Sequence, residues 1–512
     1  MFIHFCTATY DLARQNIGPR WRKTAFCPCF DWVILCNNNP KSDSSVRLAA
    51  VPHQLVNMKY PVLLLASYLF LSASAFGQNA VALCQVQVQK RQFETAAATC
   101  ADAAKIDPKI GQTGLGMAFF GLMDWPKAIQ AFTVAIESDP RSAALFFYRG
   151  QANYYAGNFR TAADDLSRAG MLDSRAGARI KPQLDAAREI ASLLPVQKVP
   201  VNTEKRSLDA SLAANSLLIQ RSVKVFNKEP QAAIDALDSQ ILEKINEAIR
   251  INKYNRHAYS TRASYYKAVK KHANALIEYT KAIAIDPSPA PTYVSRGELY
   301  AEMKNYQFAI ADFSKAIESD HNAGAFNSTY YTARADAYEK AGQKEKALQD
   351  LNYMIEVRPK EAFGYGVRAS FYLRQKDNAK ALADLNKAIE LDPKDASSRL
   401  SRCRFHNETK RFAAAADDCT AAIDKKEFIL SDLAITERAV AYTGLKKYDL
   451  AMADLAAAEK SEYTSKAEIF GQRGVIYAAQ GKKAEAKTAF EAALKEDPKN
   501  QKALAGVKSL GM

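Results

Sequence analysis

The 512-residue chain is short of histidine (6), tryptophan (3), glycine (21) and proline (18), and each shortage closes off a class of protein. Glycine and proline are too few for a collagen-like fibre or a low-complexity tail, and a chain that is 48% hydrophobic has the apolar side chains to build a core. Long hydrophobic runs are as scarce. One compact run, residues 62–71, stands out, which excludes a polytopic membrane protein. Motifs that carry chemistry are missing too: there is no HExxH, no P-loop and no GxSxG. His257, His272, His321 and His406 are scattered, so no two share metal-ligand spacing on one helix. The expectation is a chain that is not an enzyme and takes no cofactor or metal.

The one apolar run reads as an export signal. Met58-Lys59 supplies a start and a positive charge, Val62 to Leu71 the apolar core, and Ala73 and Ala75 a small-x-small exit. Cleavage is expected near Ala75 or Gly77, giving a periplasmic or secreted protein. An inner-membrane anchor through 60–76 and a cytoplasmic chain are the alternatives. Residues 1–57 differ from everything downstream, with Trp21, Trp32, Cys6, Cys27, Cys29 and Cys36 and no repeat. Met58 is therefore expected to be the initiator, 58–77 the signal peptide and 1–57 a misassigned leader. Cys27-Pro28-Cys29 lacks the paired CxxC of a metal cluster.

Downstream, the chain repeats every 34 residues. Tyr293, Arg296, Gly297, Tyr300, Ala309, Phe313 and Ala316 recur in register as Tyr365, Arg368, Ala369, Tyr372, Ala381, Leu385 and Ala388, and as Phe470, Arg473, Gly474, Tyr477, Ala486, Phe490 and Ala493. Earlier, Leu115, Gly116, Phe119, Ala128, Phe132, Ala135 and Pro140 keep the same frame. Small residues at the eighth and twentieth positions let two antiparallel helices approach closely, large ones fill the gap to the next hairpin, and proline ends the second helix. A single hairpin cannot bury its apolar face, so neighbours must stack. This pattern resembles the tetratricopeptide repeat family, exported bacterial type, and implies an all-α solenoid of helix-turn-helix repeats.

Two modules are expected: 78–194, closed by an amphipathic helix over 180–194, and 207–512, ending in a cap helix from Gln501. Pro195 and Pro200 in an unpatterned run mark 195–206 as an extended linker.

Cys84 with Cys100 and Cys403 with Cys419 are both separated by 16 and fall at the eighth and twenty-fourth repeat positions. Those positions sit at equal height on facing helices, so both pairs are expected to be disulfides, as an oxidising compartment allows. A second spacing of 16 joins Arg296 to Asp312, Arg334 to Asp350, Arg368 to Asp384, Arg402 to Asp418, Arg438 to Asp454, Arg149 to Asp165 and Arg262 to Glu278. These read as structural ion pairs worth about 0–1 kcal/mol each if exposed.

The resemblance implies that the first helix of each repeat lines the binding surface. In the first module this face carries Ile110, Met117, Phe120, Phe147, Gln151, Tyr154 and Tyr155, a candidate groove for an apolar peptide, with Phe147, Tyr154 and Tyr155 equally placed to pack on the closing helix. In the second it carries His257, Lys267, Glu298, Glu302, Asp336, Glu339, Lys340, Phe363, Arg374, Arg404 and Glu408, mixed in sign. The lysine and asparagine clamp of the chaperone-tail-binding members is absent. Residues 78–512 carry 63 basic and 52 acidic side chains, net +11, without a basic block interleaved with aromatics, so no nucleic-acid partner is expected, and attraction to anionic envelope components is weak at most. The reading is a non-enzymatic scaffold or adaptor of the bacterial cell envelope that binds a protein or peptide partner. The alternatives are an intracellular regulatory or targeting component and an accessory protein of an envelope polysaccharide enzyme.

Overall fold

The structure is a computed structural model that describes residues 33–35, 47–49, 80–423, 428–461 and 464–511. The expected signal segment 58–77 and Cys6, Cys27, Cys29 and Cys36 lie outside the described residues. Within residues 1–57, strands β1 (Val33–Leu35) and β2 (Arg47–Ala49) pair antiparallel, Val33 opposite Ala49. From residue 80 on, the regular elements among the described residues are α-helices.

The chain divides into two compact units, residues 1–156 and 157–512. The first contains α1 (residues 80–89), α2 (Phe93–Ala104), α3 (Pro108–Gly121), α4 (Trp125–Ser138) and α5 (Ala143–Tyr155). The second begins with α6 (Phe159–Leu172), α7 (Ser174–Leu193), α8 (Val201–Phe226) and α9 (Gln231–Ile251). Seven hairpins follow: α10 (Arg256–Ala268) with α11 (His272–Ile285), α12 (Ala290–Glu302) with α13 (Tyr306–Asn322), α14 (Ser328–Lys340) with α15 (Lys344–Val357), and α16 (Ala362–Arg374) with α17 (Asn378–Leu391). The last three are α18 (Ala396–Glu408) with α19 (Phe412–Ala422), α20 (Phe428–Gly444) with α21 (Tyr448–Ala458), and α22 (Lys466–Ala479) with α23 (Lys483–Glu496), capped by α24 (Gln501–Ser509).

Local chemistry sets these boundaries. Asn255, Asp377, Asp395 and Asn500 cap helix starts by accepting a backbone N–H with the side chain. Second helices stop at Asp-Pro: Asp286, Asp392 and Asp497 are extended, with φ of −145°, −133° and −140°, as a residue before proline is pushed to be. Between the two helices of a hairpin the chain turns through a left-handed residue, Gly342 and Gly481 in two repeats but lysine in most others, including Lys270, Lys304, Lys376, Lys410 and Lys446.

Facing helices are matched by volume at the eighth and twenty-fourth positions. Where the second helix brings Phe132, Phe313 or Phe490, the first helix answers with Gly116, Gly297 or Gly474, whose added Cβ would lie 2.4, 2.8 or 2.5 Å from the ring. Where it brings the buried Leu351, Leu385 or Leu455, the partner is buried Ala335, Ala369 or Ala439. Cys84–Cys100 and Cys403–Cys419 are a third solution to the same gap: both pairs are disulfide-bonded, with Cα atoms 4.8 and 5.5 Å apart, and all four cysteines are buried.

The charged pairs expected across the hairpins form, and their carboxylates are buried. Arg296, Arg334, Arg368, Arg402 and Arg438 each fork onto Asp312, Asp350, Asp384, Asp418 and Asp454 with two hydrogen bonds of 2.6–2.9 Å, and Arg262 pairs with Glu278. The carboxylates are buried, so exposed-pair energetics do not apply. Each arginine also donates backwards to a polar side chain on the preceding hairpin: Arg296 to Thr280 (3.1 Å), Arg334 to Ser314 (3.1 Å), Arg368 to Asn352 (2.8 Å), Arg402 to Asn386 (2.8 Å) and Arg438 to Thr420 (3.2 Å). One guanidinium therefore holds its own hairpin and registers it on its neighbour. Arg149 and Asp165 fall in different units; within the first, Arg149 donates to Thr133 at 3.2 Å.

Two expected boundaries are corrected. The linker 195–206 is shorter, because α8 already begins at Val201. Pro200, with φ −58°, occupies the N-cap, so it starts a helix instead of prolonging a loop. The helix expected over 180–194 runs from Ser174 to Leu193 and belongs to the second unit: Leu193 packs with Tyr259 and Ala282, and Glu189 pairs with the buried Lys281 at 2.6 Å. Lys281 in turn meets Glu278, so a compact network of alternating charge docks α7 on α10 and α11.

Candidate functional site

In the first unit four of the expected groove residues, Phe120, Phe147, Tyr154 and Tyr155, join an aromatic cluster. Phe120 on α3 meets Trp125, Tyr148 and Tyr155 edge-on at 5.3, 6.1 and 6.2 Å between ring centroids, Trp125 stacks on Tyr155 at 5.1 Å, and Phe147 contacts Tyr148. Such geometry is that of a packed core. Tyr154 is buried, at 6% exposure, and offers no open wall to a peptide. Ile110, Met117 and Gln151 are half-buried. The structure thus brings Phe120, Phe147, Tyr154 and Tyr155 into one aromatic group in which Tyr154 is buried and the other three rings are half-buried.

Open concave space lies in the second unit, where first helices of successive hairpins stand side by side. A cleft of about 400 Å³ between α14 and α16 is lined by Thr329, Thr332, Asp336, Glu339, Phe363, Val367, Ser370 and Arg374, among others. A second, of about 320 Å³, is bounded by Leu212 and Asn215 of α8, His257 and Ser260 of α10, and Pro291 and Ser295 of α12. The Ser260 hydroxyl is buried and unpaired, and Ser264 shares a hydrogen bond of 3.1 Å with Tyr279. Burial and the adjacent Arg256 hold His257 below the ordinary histidine value, so it is neutral at pH 7.

The mixed charges on this face pair with one another across repeats. Lys267 meets Glu298 at 3.1 Å and Lys270 meets Glu302 at 2.9 Å. Arg374 grips Glu339 at 2.7 Å with Gln375 adding a hydrogen bond, and Arg404 meets Glu437 at 3.0 Å, where Asn407 joins it. A charged ligand must therefore compete with pairs already made. His406, at an aromatic repeat position, is buried. Among the described residues no group of three His, Cys, Asp or Glu side chains converges to hold a metal, and no helix is long and apolar enough to cross a membrane.

Sequence reasoning missed two parts of this surface. Residues at the sixth repeat position, Ser295 and Val367, line the clefts beside the positions the family comparison points to. The exposed face of α8 was missed as well: Leu212, Ile219, Val223 and Phe226 are all more than half exposed, and between Leu212 and Val223 the one charge, Arg221, is buried on Asp238. The signal was that uncharged stretch in a chain that is 24% charged.

Models of the tetratricopeptide repeat match residues 113–174, 257–289, 290–322, 367–428 and 467–500. The chain belongs to the tetratricopeptide repeat family, and it is a scaffold for protein–protein contacts. No curated protein matches it. Among solved structures it is similar to yeast Tom70 (16% identity, 86% of this chain and 95% of that one, TM-score 0.43). It is also similar to a tetratricopeptide repeat protein of Parabacteroides merdae (20% identity, 50% and 99%, TM-score 0.38) and to PilW, a type IV pilus biogenesis factor (16% identity, 43% and 98%, TM-score 0.35).

Proposed function

We propose that this scaffold is a non-enzymatic adaptor exported into a bacterial cell envelope, and that it holds a protein or peptide partner on the first-helix face of its second unit. The observation that carries the reading is the pair of buried disulfides, one in each unit, since such bonds persist where the surroundings are oxidising. The signal-like segment 58–77 supports export independently. The open clefts lined by first helices between α10 and α16 support the second unit as the docking face.

Two measurements test this. N-terminal sequencing of the natural protein should begin just after Ala75 or Gly77, and thiol labelling of that protein, unfolded without reductant, should find no reactive cysteine. A natural chain that retains residues 58–77, or that labels at Cys84, Cys100, Cys403 and Cys419, overturns export.

A further inference from the structure

The cleft between α14 and α16 has two unlike sides. One is apolar: Phe363 is 46% exposed and stands with Val367 on α16. The other carries Asp336 and Glu339, three residues apart on one face of α14. The two carboxylates are not equivalent. Glu339 is largely buried and taken by the Arg374 fork, whereas Asp336 is held by Lys340 of its own helix, a pair about half exposed on both sides that exchanges partners easily.

Elsewhere the same chain shows what an aromatic ring and a carboxylate side by side attract. Arg334 lies over the Tyr331 ring at 5.5 Å while forking onto Asp350, and Arg368 lies over Tyr365 at 5.8 Å while forking onto Asp384. The cleft presents the aromatic and the carboxylate of that trio at the surface. We propose that it receives a lysine or arginine side chain from an extended segment of a partner protein. The aliphatic stem lies on Phe363 and Val367 and the cation on Asp336, replacing Lys340. A wholly apolar side chain would gain nothing from Asp336, and an acidic one would find Arg374, the cation that lines the cleft, already gripped by Glu339; a basic side chain alone has both an apolar stem and a cationic head. The inference rests on the reading of this face as a docking surface and assigns the chemistry of what docks there.

The test is fluorescence anisotropy with the full chain and labelled decapeptides alternating alanine with lysine, arginine, glutamate or norleucine. The chain is net +15, so its overall field repels basic peptides, and their binding must come from a local site. Lysine and arginine peptides should bind and the others should not. Asp336→Asn and Phe363→Ala should each raise Kd at least about fivefold. Lys340→Ala should lower Kd by freeing Asp336, while Lys483→Ala, on a distant hairpin, should leave it unchanged. Basic peptides that fail to bind, or bind D336N and F363A as well as the parent chain, overturn the proposal. A natural partner retained equally by the parent chain and by both variants does so too, yet leaves the scaffold reading standing; loss of any partner from the parent chain refutes the scaffold reading itself.

Discussion

Removing the Arg296 guanidinium is the sharpest test of how the repeats are held. Its two hydrogen bonds to Asp312, both 2.8 Å, end on a carboxylate that is 5% exposed, and a third of 3.1 Å reaches Thr280 on the hairpin before. Burial pushes the Asp312 carboxyl up from its usual range, and Arg296 pulls it back down. Arg296→Ala removes that pull and leaves a buried carboxylate unpaired, for which the expected cost is about 3–5 kcal/mol. Replacing both partners, as R296M/D312L, removes the buried charge as well and should return stability to within about 1 kcal/mol of the parent. Arg296→Lys keeps the charge but not the fork and should fall between.

The sign with pH follows from the raised pKa. A carboxyl whose folded pKa lies above its unfolded value contributes stability at low pH that is lost as pH rises through the folded pKa. The deficit of R296A should therefore be largest at pH 7 and shrink towards pH 4. Urea unfolding followed by circular dichroism gives the total, and hydrogen exchange in α12 and α13 localises it, since a repeat array need not unfold in one step. An R296A cost below about 1 kcal/mol would place the pair among ordinary surface ion pairs. A double variant as unstable as the single one would show that packing, not the stranded charge, sets the penalty.

Three further outcomes are expected. Gly114→Ala places a methyl group 2.4 Å from the Cys84 sulfur and 2.7 Å from that of Cys100, and overpacking of this kind should cost about 1–3 kcal/mol in urea unfolding. Lys376→Gly relaxes an exposed turn residue held at φ +61° and should stabilise by about 0.5–1 kcal/mol, whereas the same change at Lys380, inside α17, should destabilise. Burial lowers the pKa of His406, whose Nε2 is 3.8 Å from Asp418, with Arg402 and Arg411 opposing protonation. A depressed folded pKa means stability is lost as pH falls below about 6.5, so acid sensitivity between pH 6.5 and 5 should diminish in His406→Phe, read from urea midpoints across that range.

Much of the fold is legible in the residues because its signals are local. Asp-Pro at 286–287, 392–393 and 497–498 stops helices through proline's steric demand alone, and Ala309, Ala316, Ala381 and Ala388 mark close helix contacts wherever the chain runs. The site is less legible. Phe120 and Tyr155 fall at groove positions when taken by repeat position, but that position does not reveal that Trp125 and Tyr148 pack beside them.

By itself, then, the sequence determined the 34-residue period, the hairpins and the pairing of residues 16 apart, because a helix of known rise and a short turn place those positions opposite one another without reference to the rest of the chain. Tertiary structure alone decided which of those pairs are buried, how Arg296 and its counterparts reach back to Thr280, Ser314, Asn352, Asn386 and Thr420, and where the first-helix face stays open. These depend on how one hairpin stacks on the next, an angle set by the sum of many side-chain volumes and written at no single position.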